Sequence, residues 1–416
     1  SICYLFENYC NLLLQFAVKF QYEIDYFAIE RIKKMTDKEI SELRRRIAPD
    51  KHNISRLCGR YVNANRETVC EFAETFGLMP EDASEMYLSL LRRVLSGTNG
   101  RNLIDIAFSI GQVETGEEHA LLQALRKSGL RDDESIKKLF DRIASQLISE
   151  TGSLILLAYD SYDVPIKRRD EGGSDESDTM FSYIICAICP VKESKPVLGY
   201  DAGPKTFSVH SCDWNVCPPE SGFLFPAFDD RKANIYNALY YTKNLSDSHE
   251  ELAKALFNTE LPLPAAEQKE LFGNILASSL GDECSLEVVQ TIHDDIAQKI
   301  DEHKSMRISE PLTISKKDVS GILADCGVSD EKIAEFEQSC DESYGVGADL
   351  SPRNLIEPKQ FELKTSDIMI KAKPELGDLI ETRVIDGVKY VLIRADEEIT
   401  VNGVPIAVKA DDADGE

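Results

Sequence analysis

Several things are missing from this sequence, and each absence removes a class of protein. No uninterrupted apolar run approaches the roughly 18 residues that a membrane-spanning helix requires, which excludes a helical membrane protein. No secretory signal with a small-residue cleavage site is present. The 11 cysteines lack the spacing of a small disulfide framework, and a chain of 416 residues needs no such staples. Free thiols in a cytoplasm are therefore the expectation. Positive charge is short: 47 Lys and Arg stand against 73 Asp and Glu, a net charge of -26. Such a field repels nucleic acid and anionic membranes and favours basic partners. The deficit is local, because acids and bases balance through residue 131 and the whole excess lies beyond it. A phosphate loop is missing too, since Gly97-Thr-Asn-Gly100 has neither the Lys-Ser/Thr pair nor the following helix. There is no internal repeat.

What is present has the composition of an ordinary globular chain, 43% hydrophobic and 29% charged, with length for about two to four domains. Residues 1–34 stand apart. They are crowded with Phe, Tyr, Ile, Leu and Asn, no methionine precedes Met35, and Thr36 with Glu39 opens a helix at once as a capping box. Translation is expected to begin at Met35, with 1–34 a non-native upstream leader; the alternative is an amphipathic helix carrying Leu12, Leu13, Phe16 and Phe20.

From Met35 the periodicity alternates between strand and helix. A helix from Asp37 to Arg46 is followed by strands Ile54 to Val62 and Glu67 to Phe72 around an Asn-rich turn. A Pro80-started helix carries Tyr87, Leu88, Leu91 and Leu95, Asn102 to Phe108 reads as a strand, and helices follow near 115–128 and 132–149. Leu154 to Tyr159 is a short continuous apolar run, as in a strand buried on both faces. After a charged Gly/Ser-rich loop at 167–178 come strands Phe181 to Cys189, Thr206 to His210, Phe223 to Phe228 and Asn234 to Thr242. Their short connections imply a largely antiparallel meander. From Ser246 to Ser343 the pattern is helical, with Val289, Ile292, Ile296 and Ile300 on one face. Asp386-Gly387 and Asn402-Gly403 are two-residue hairpin signals.

The expected class is α+β, with a central, mainly antiparallel sheet. The expected divisions are an N-terminal α/β unit (35–150), a central sheet unit (151–245), a helical section (246–345), C-terminal β-hairpins that pack back on the body (346–409) and an acidic tail (410–416).

The blocks MTDKEISELRRRI, SGTNGRNLIDIAFS, LILLAYDSYDVP, GFLFPAFDDRKANIYNALYYTKN and ETRVIDGVKYVLIRADE resemble a bacterial family known as domain of unknown function 4317. The resemblance runs from Met35 to about Ile406. It implies a bacterial origin and carries no mechanism.

Four constellations could bear chemistry. Asp229, Asp230 and Arg231 offer two carboxylates and a cation, as in phosphoryl chemistry, but both acids meet one ion only where the backbone turns. The competing reading is a turn in the middle of the main sheet. Cys186, Cys189, His210, Cys212 and Cys217 have zinc-like spacing. Cys186 and Cys189 fall within an apolar strand and should face opposite sides, so no metal and no cofactor is assigned. His293-Asp294-Asp295 suggests a metal phosphohydrolase pair, yet only His249 and His303 are helical candidates to complete it; a polar surface is the simpler expectation. Arg44, Arg45, Arg46, Arg56 and Arg60, with Lys51 and Arg66, form the one basic cluster. It is either an anion site or a set of intramolecular ion pairs, with few aromatics for base stacking. A helix-turn-helix spacing at Ile314 to Cys340 carries an acidic second helix that phosphates would repel.

Three functions follow: a non-catalytic, soluble cytoplasmic interaction protein with a protein partner; a hydrolase or nuclease centred on Asp229, Asp230 and Arg231; or an anion or nucleic-acid binder using the arginine cluster. The start site is directly testable. The natively expressed chain should have the intact mass of a protein beginning at Met35, and a species beginning at Ser1 or upstream would refute the leader.

Overall fold

The computed structural model describes residues 34–148, 150–164, 179–210, 214–306, 308, 311–348, 350–373, 379–395, 399–401 and 403–407. Residues 1–33 of the proposed leader, the 167–178 loop and the acidic tail lie outside these residues. The chain forms two compact units, the first ending at Glu267 and the second beginning at Gln268.

The first unit begins with α1 (Asp37–Arg46), β1 (Arg56–Val62), β2 (Thr68–Thr75), α2 (Glu81–Arg93) and β3 (Leu103–Ala107). Then come α3 (Ile110–Thr115), α4 (Glu117–Ser128), α5 (Asp133–Gln146), β4 (Ser153–Val164) and β5 (Thr179–Glu193). β6 (Val197–Asp201), β7 (Thr206–His210), β8 (Trp214–Val216), β9 (Ser221–Phe225), β10 (Ala227–Asp229), β11 (Lys232–Asn234), β12 (Asn237–Thr242) and α6 (Glu250–Phe257) complete it.

An antiparallel sheet of eight strands organises this unit, in the order β2-β1-β4-β5-β9-β12-β3, with β8 paired to one end of β5. Its central strands are buried on both faces. Leu154, Leu156, Ala158, Tyr183, Ile185, Leu224 and Leu239 point into one core with Leu43 of α1 and Leu91 of α2. Ile155, Leu157, Ile184, Cys186, Phe223 and Tyr240 point into the other with Leu125 of α4, Ile143 of α5 and Phe257 of α6. The period-2 geometry of a strand makes both cores from one continuous apolar run. The result is an α/β/α sandwich around an antiparallel sheet.

This topology changes the expected divisions. Strands β1 and β3 come from the stretch before residue 150, yet they pair with β4 and β12 respectively. Stretches 35–150 and 151–245 therefore share one sheet, which is not a simple meander. Helix α6 buries Leu252, Ala253, Leu256 and Phe257 in the same unit. Thr36 caps α1 as expected: its hydroxyl accepts from the Glu39 amide, and the Glu39 carboxylate accepts from the Thr36 amide at 2.9 Å.

The second unit holds most of α7 (Ala265–Leu280), then α8 (Leu286–Ser305), α9 (Lys316–Asp325) and α10 (Asp330–Tyr344). Its core collects Phe272, Leu280, Ile296, Leu323 and Phe336. On α8 the buried stripe is Val288, Ile292, Ile296 and Ile300, a strict four-residue repeat, while Val289 is exposed. Three hairpins follow: β13 (Phe361–Lys364) with β14 (Met369–Ala372), β15 (Ile380–Ile385) with β16 (Val388–Ile393), and β17 (Ile399–Val401) with β18 (Val404–Ile406). Asp386 and Gly387 take the positive φ that their turn requires. In β15 and β16 Ile380 alone is buried among the described residues.

At Gly222 the C-terminal end of α2 packs directly on the sheet backbone. A Cβ there would lie 2.4 Å from the Cys186 carbonyl oxygen and 2.9 Å from a Val94 methyl. Neither the ladder nor the helix end can give way locally. Gly222→Ala should therefore lower unfolding stability by about 2 kcal/mol or more, measured in urea; an unchanged midpoint would show that the close approach is not there.

Candidate functional site

The segment Phe223 to Thr242 reads as two long strands, but each breaks in two. Strands β9 and β12 pair directly in the main sheet, while β10 and β11 form a separate small hairpin beside the α1 face. Asp230 and Arg231 are its two central turn residues, with φ of 45° and 60°. They thus sit at a hairpin tip and not in the middle of the main sheet. Asp230 is exposed. The Asn234 amide donates to Asp229 at 3.2 Å, and Arg231 bonds Glu42 of α1 at 2.9 Å. The Tyr162 hydroxyl donates to the same Glu42 carboxylate at 2.6 Å.

Beside this hairpin lies a carboxylate that sequence reasoning missed. Asp160 of β4 is completely buried. It accepts from the Asn53 amide at 2.8 Å, the Ser161 amide at 2.9 Å and the Tyr183 hydroxyl at 2.7 Å, and it pairs with Arg46 Nε at 3.4 Å. Arg46 also donates to the Ser161 carbonyl at 2.6 Å and lies over the Tyr162 ring. Burial and the adjacent Asp160 raise the Tyr183 phenol well above its ordinary range, so it remains a proton donor. The only sequence signal for this knot is a polar residue continuing the buried face of an apolar strand.

The five candidate arginines do not form one patch. Arg60 is buried on the opposite face of the sheet, where it bonds Glu71 at 2.6 Å and Asp141 at 2.5 Å and lies over Phe140. Arg56 pairs with Asp133 at 3.2 Å, and Arg46 belongs to the Asp160 knot. Arg44 and Arg45 go elsewhere. With Ser89, Arg92, Arg93 and Ser96 they line an open cleft of about 420 Å³. Arg92 and Arg93 were passed over, although α1 and α2 both end in consecutive arginines.

Of the zinc-spaced set, Cys212 and the His210 side chain lie outside the described residues. Cys186 and Cys189 enter opposite cores of the sheet. Burial pushes both thiols up, Cys189 to about 12, which leaves them protonated and inert at neutral pH. Among the described residues, no three His, Cys, Asp or Glu side chains come together to hold a metal ion. His293, expected on a polar surface, is instead buried: its Nε2 lies 3.0 Å from the Glu357 carbonyl and its ring meets Phe361 edge-on. The helix presents it beside Ile292 and Ile296, which the charged Asp294-Asp295 that follows had masked.

The β6–β7 ribbon differs from the rest of the first unit. Leu198 faces Val209 and Tyr200 faces Phe207 across it, so all four side chains share one face. They are 71%, 69%, 57% and 65% exposed, and the Tyr200 and Phe207 rings are 5.4 Å apart.

An α/β/α sandwich with buried ion-pair knots, an arginine cleft and an uncovered apolar ribbon describes a class by architecture alone. The family model that matches is the domain of unknown function DUF4317, over residues 35–404, and the chain belongs to that family. No curated protein matches it. Among the described residues, no helix is long and apolar enough to cross a membrane.

One acid of this region carries a pH signature. Asp105 of β3 accepts from the Met35 amide at 3.3 Å. Burial raises its carboxyl to about 6 from the ordinary 3.8, Met35 and Lys34 oppose the rise, and Asp229 adds to it. Since the folded-state value lies above the unfolded one, ionisation of Asp105 opposes folding. That penalty is absent below pH 3.8, grows up to about pH 6 and is constant above. Asp105→Asn should therefore stabilise the protein at pH 7.5, by about 1 kcal/mol after screening at this half-buried site. The gain should vanish at pH 4; urea titrations at both pH values read it.

Proposed function

We propose that this protein is a non-catalytic interaction protein of a bacterial cytoplasm, and that the β6–β7 ribbon docks its protein partner. The apolar face of that ribbon carries the reading. A two-stranded ribbon whose apolar face none of the described residues covers is marginal in water, and side chains such as Phe207 and Tyr200 are enriched where proteins meet. Contiguous exposed apolar surface marks such contacts. The net charge of -26 adds the partner's chemistry: an apolar strip flanked by basic side chains. Free thiols at all eight described cysteines suit a reducing compartment. Asp229, Asp230, Arg231, Cys186, Cys189 and His293, singled out from the sequence, are spent on a turn, an ion pair and buried cores, which supports binding over catalysis.

The double substitution Phe207→Lys with Val209→Lys should shift Tm by no more than about 2 °C, as exposed positions do. Quantitative affinity capture from the native cell should then recover a basic-surfaced protein with the wild type and lose it with the variant. Equal recovery by both, or a hydrolytic activity that Asp230→Asn abolishes, would contradict the reading.

A further inference from the structure

The cleft between the ends of α1 and α2 is lined by arginine and serine. Among the described residues its lining consists of Arg44, Arg45, Ser89, Arg92, Arg93 and Ser96, with no carboxylate and no aromatic ring. Arg92, Arg93 and Ser96 lie three, four and seven residues after Ser89, which places them along one side of a helical turn and its continuation. Arg45 donates its Nε–H to the Ser41 carbonyl at 3.1 Å, and Ser96 donates to the Arg92 carbonyl at 3.2 Å. Among the described residues, none of the four arginines forms an ion pair.

That is the anomaly. Arg46, Arg56, Arg60, Arg142 and Arg231 of the same unit each meet a carboxylate. A chain with 73 acids could supply partners for four more. Basic residues in the last turn of a helix do offset the helix dipole, but that effect is met at each helix end separately. It does not account for four guanidinium groups converging on one concave surface, where each repels the other three. A bound anion removes that repulsion.

We infer that this cleft is a binding site for a small molecule bearing two or more phosphoryl groups. The guanidinium fork matches phosphate oxygens in bidentate fashion, and the Ser89 hydroxyl can donate to the same oxygens. One phosphoryl group carries a charge of about -1.5 to -2 at neutral pH, so four arginines are balanced by two or three of them. The cleft volume of about 420 Å³ admits such a group with a small organic moiety. Among the described residues no ring lines it on which a base could stack, so recognition falls on the phosphates. The site is separate from the β6–β7 ribbon, and its test does not depend on the partner proposed there.

The experiment is calorimetric titration of the full chain at about 50 mM salt, where exposed charges are weakly screened. The probes are inorganic tripolyphosphate, inorganic phosphate and a single-stranded oligothymidine. Tripolyphosphate should bind once per chain and at least about tenfold more tightly than phosphate, as expected when further charge-assisted bonds form. Arg45→Gln and Arg93→Gln, both at exposed positions, should each weaken it by about tenfold with Tm unchanged. Ser89→Glu, which places a carboxylate among the arginines, should abolish it. The assignment is overturned by absence of tripolyphosphate binding at millimolar concentration. It is equally overturned if affinity is unchanged in the substituted chains, which would mean an adventitious ion elsewhere. Tighter binding of the oligothymidine than of tripolyphosphate would overturn the small-molecule assignment in favour of a nucleic acid.

Discussion

The first unit is arranged around a carboxylate that water does not reach. Asp160 lies in the middle of a sheet whose neighbouring side chains are apolar, and an unpaired charge there would be prohibitive. It is held by two backbone amides, a phenol and a guanidinium contributed by β4, the Asn53 segment, β5 and the end of α1. Each of those elements must therefore arrive at one point. Such a knot adds little net stability compared with an apolar filling, but it punishes any arrangement that leaves it incomplete. Its effect here is on orientation. Successive residues of a helix point about 100° apart, so a helix that turns Arg46 towards Asp160 turns Arg44 and Arg45 away from it. The cleft they share with Arg92 and Arg93 is a consequence of that buried pair.

The same sorting explains how a strongly acidic chain handles its cations. Within the sheet, arginine is used as a structural ligand: Arg46 on one face, Arg60 on the other, each also lying over an aromatic ring. At the hairpin tip Arg231 ties β10 and β11 to α1 through Glu42. Where two helices end together, Arg44, Arg45, Arg92 and Arg93 gather with no acid among the described lining residues. Apolar surface shows a parallel contrast. The two sheet cores are closed on both sides, whereas the β6–β7 ribbon keeps its aromatic and aliphatic face in solvent. Both departures concern groups that the fold itself does not need.

Local structure was legible where one principle acted alone. The Thr36 capping box, the ends of α1, the Asn63 to Arg66 turn and the Asp386-Gly387 hairpin all rest on short-range chemistry, and each stands where the sequence puts it. The buried run at Leu154 announced a strand covered on both faces. What was not legible depends on pairing over long distances. That β1 joins β4, and β3 joins β12, is decided by which edges remain open after the central strands have paired. The residues around Pro226 kept strand composition while leaving the sheet, because β10 and β11 pair with each other. The arginine cluster was legible as composition and not as geometry: neighbours in sequence diverge by helical rotation and strand alternation, so Arg46 and Arg60 part from Arg44 and Arg45. Arg92 and Arg93 join the latter only through tertiary packing.

The claim on which most depends is that Arg46 and Asp160 act as one buried unit that fixes the end of α1. A double-mutant cycle in urea with Arg46→Met, Asp160→Asn and the combined variant tests it most directly. Each single substitution should cost about 3 kcal/mol, and the pair should cost less than their sum by at least about 1.5 kcal/mol. Strictly additive losses would contradict it, because the two side chains would then contribute independently and nothing would tie the direction of α1 to the sheet.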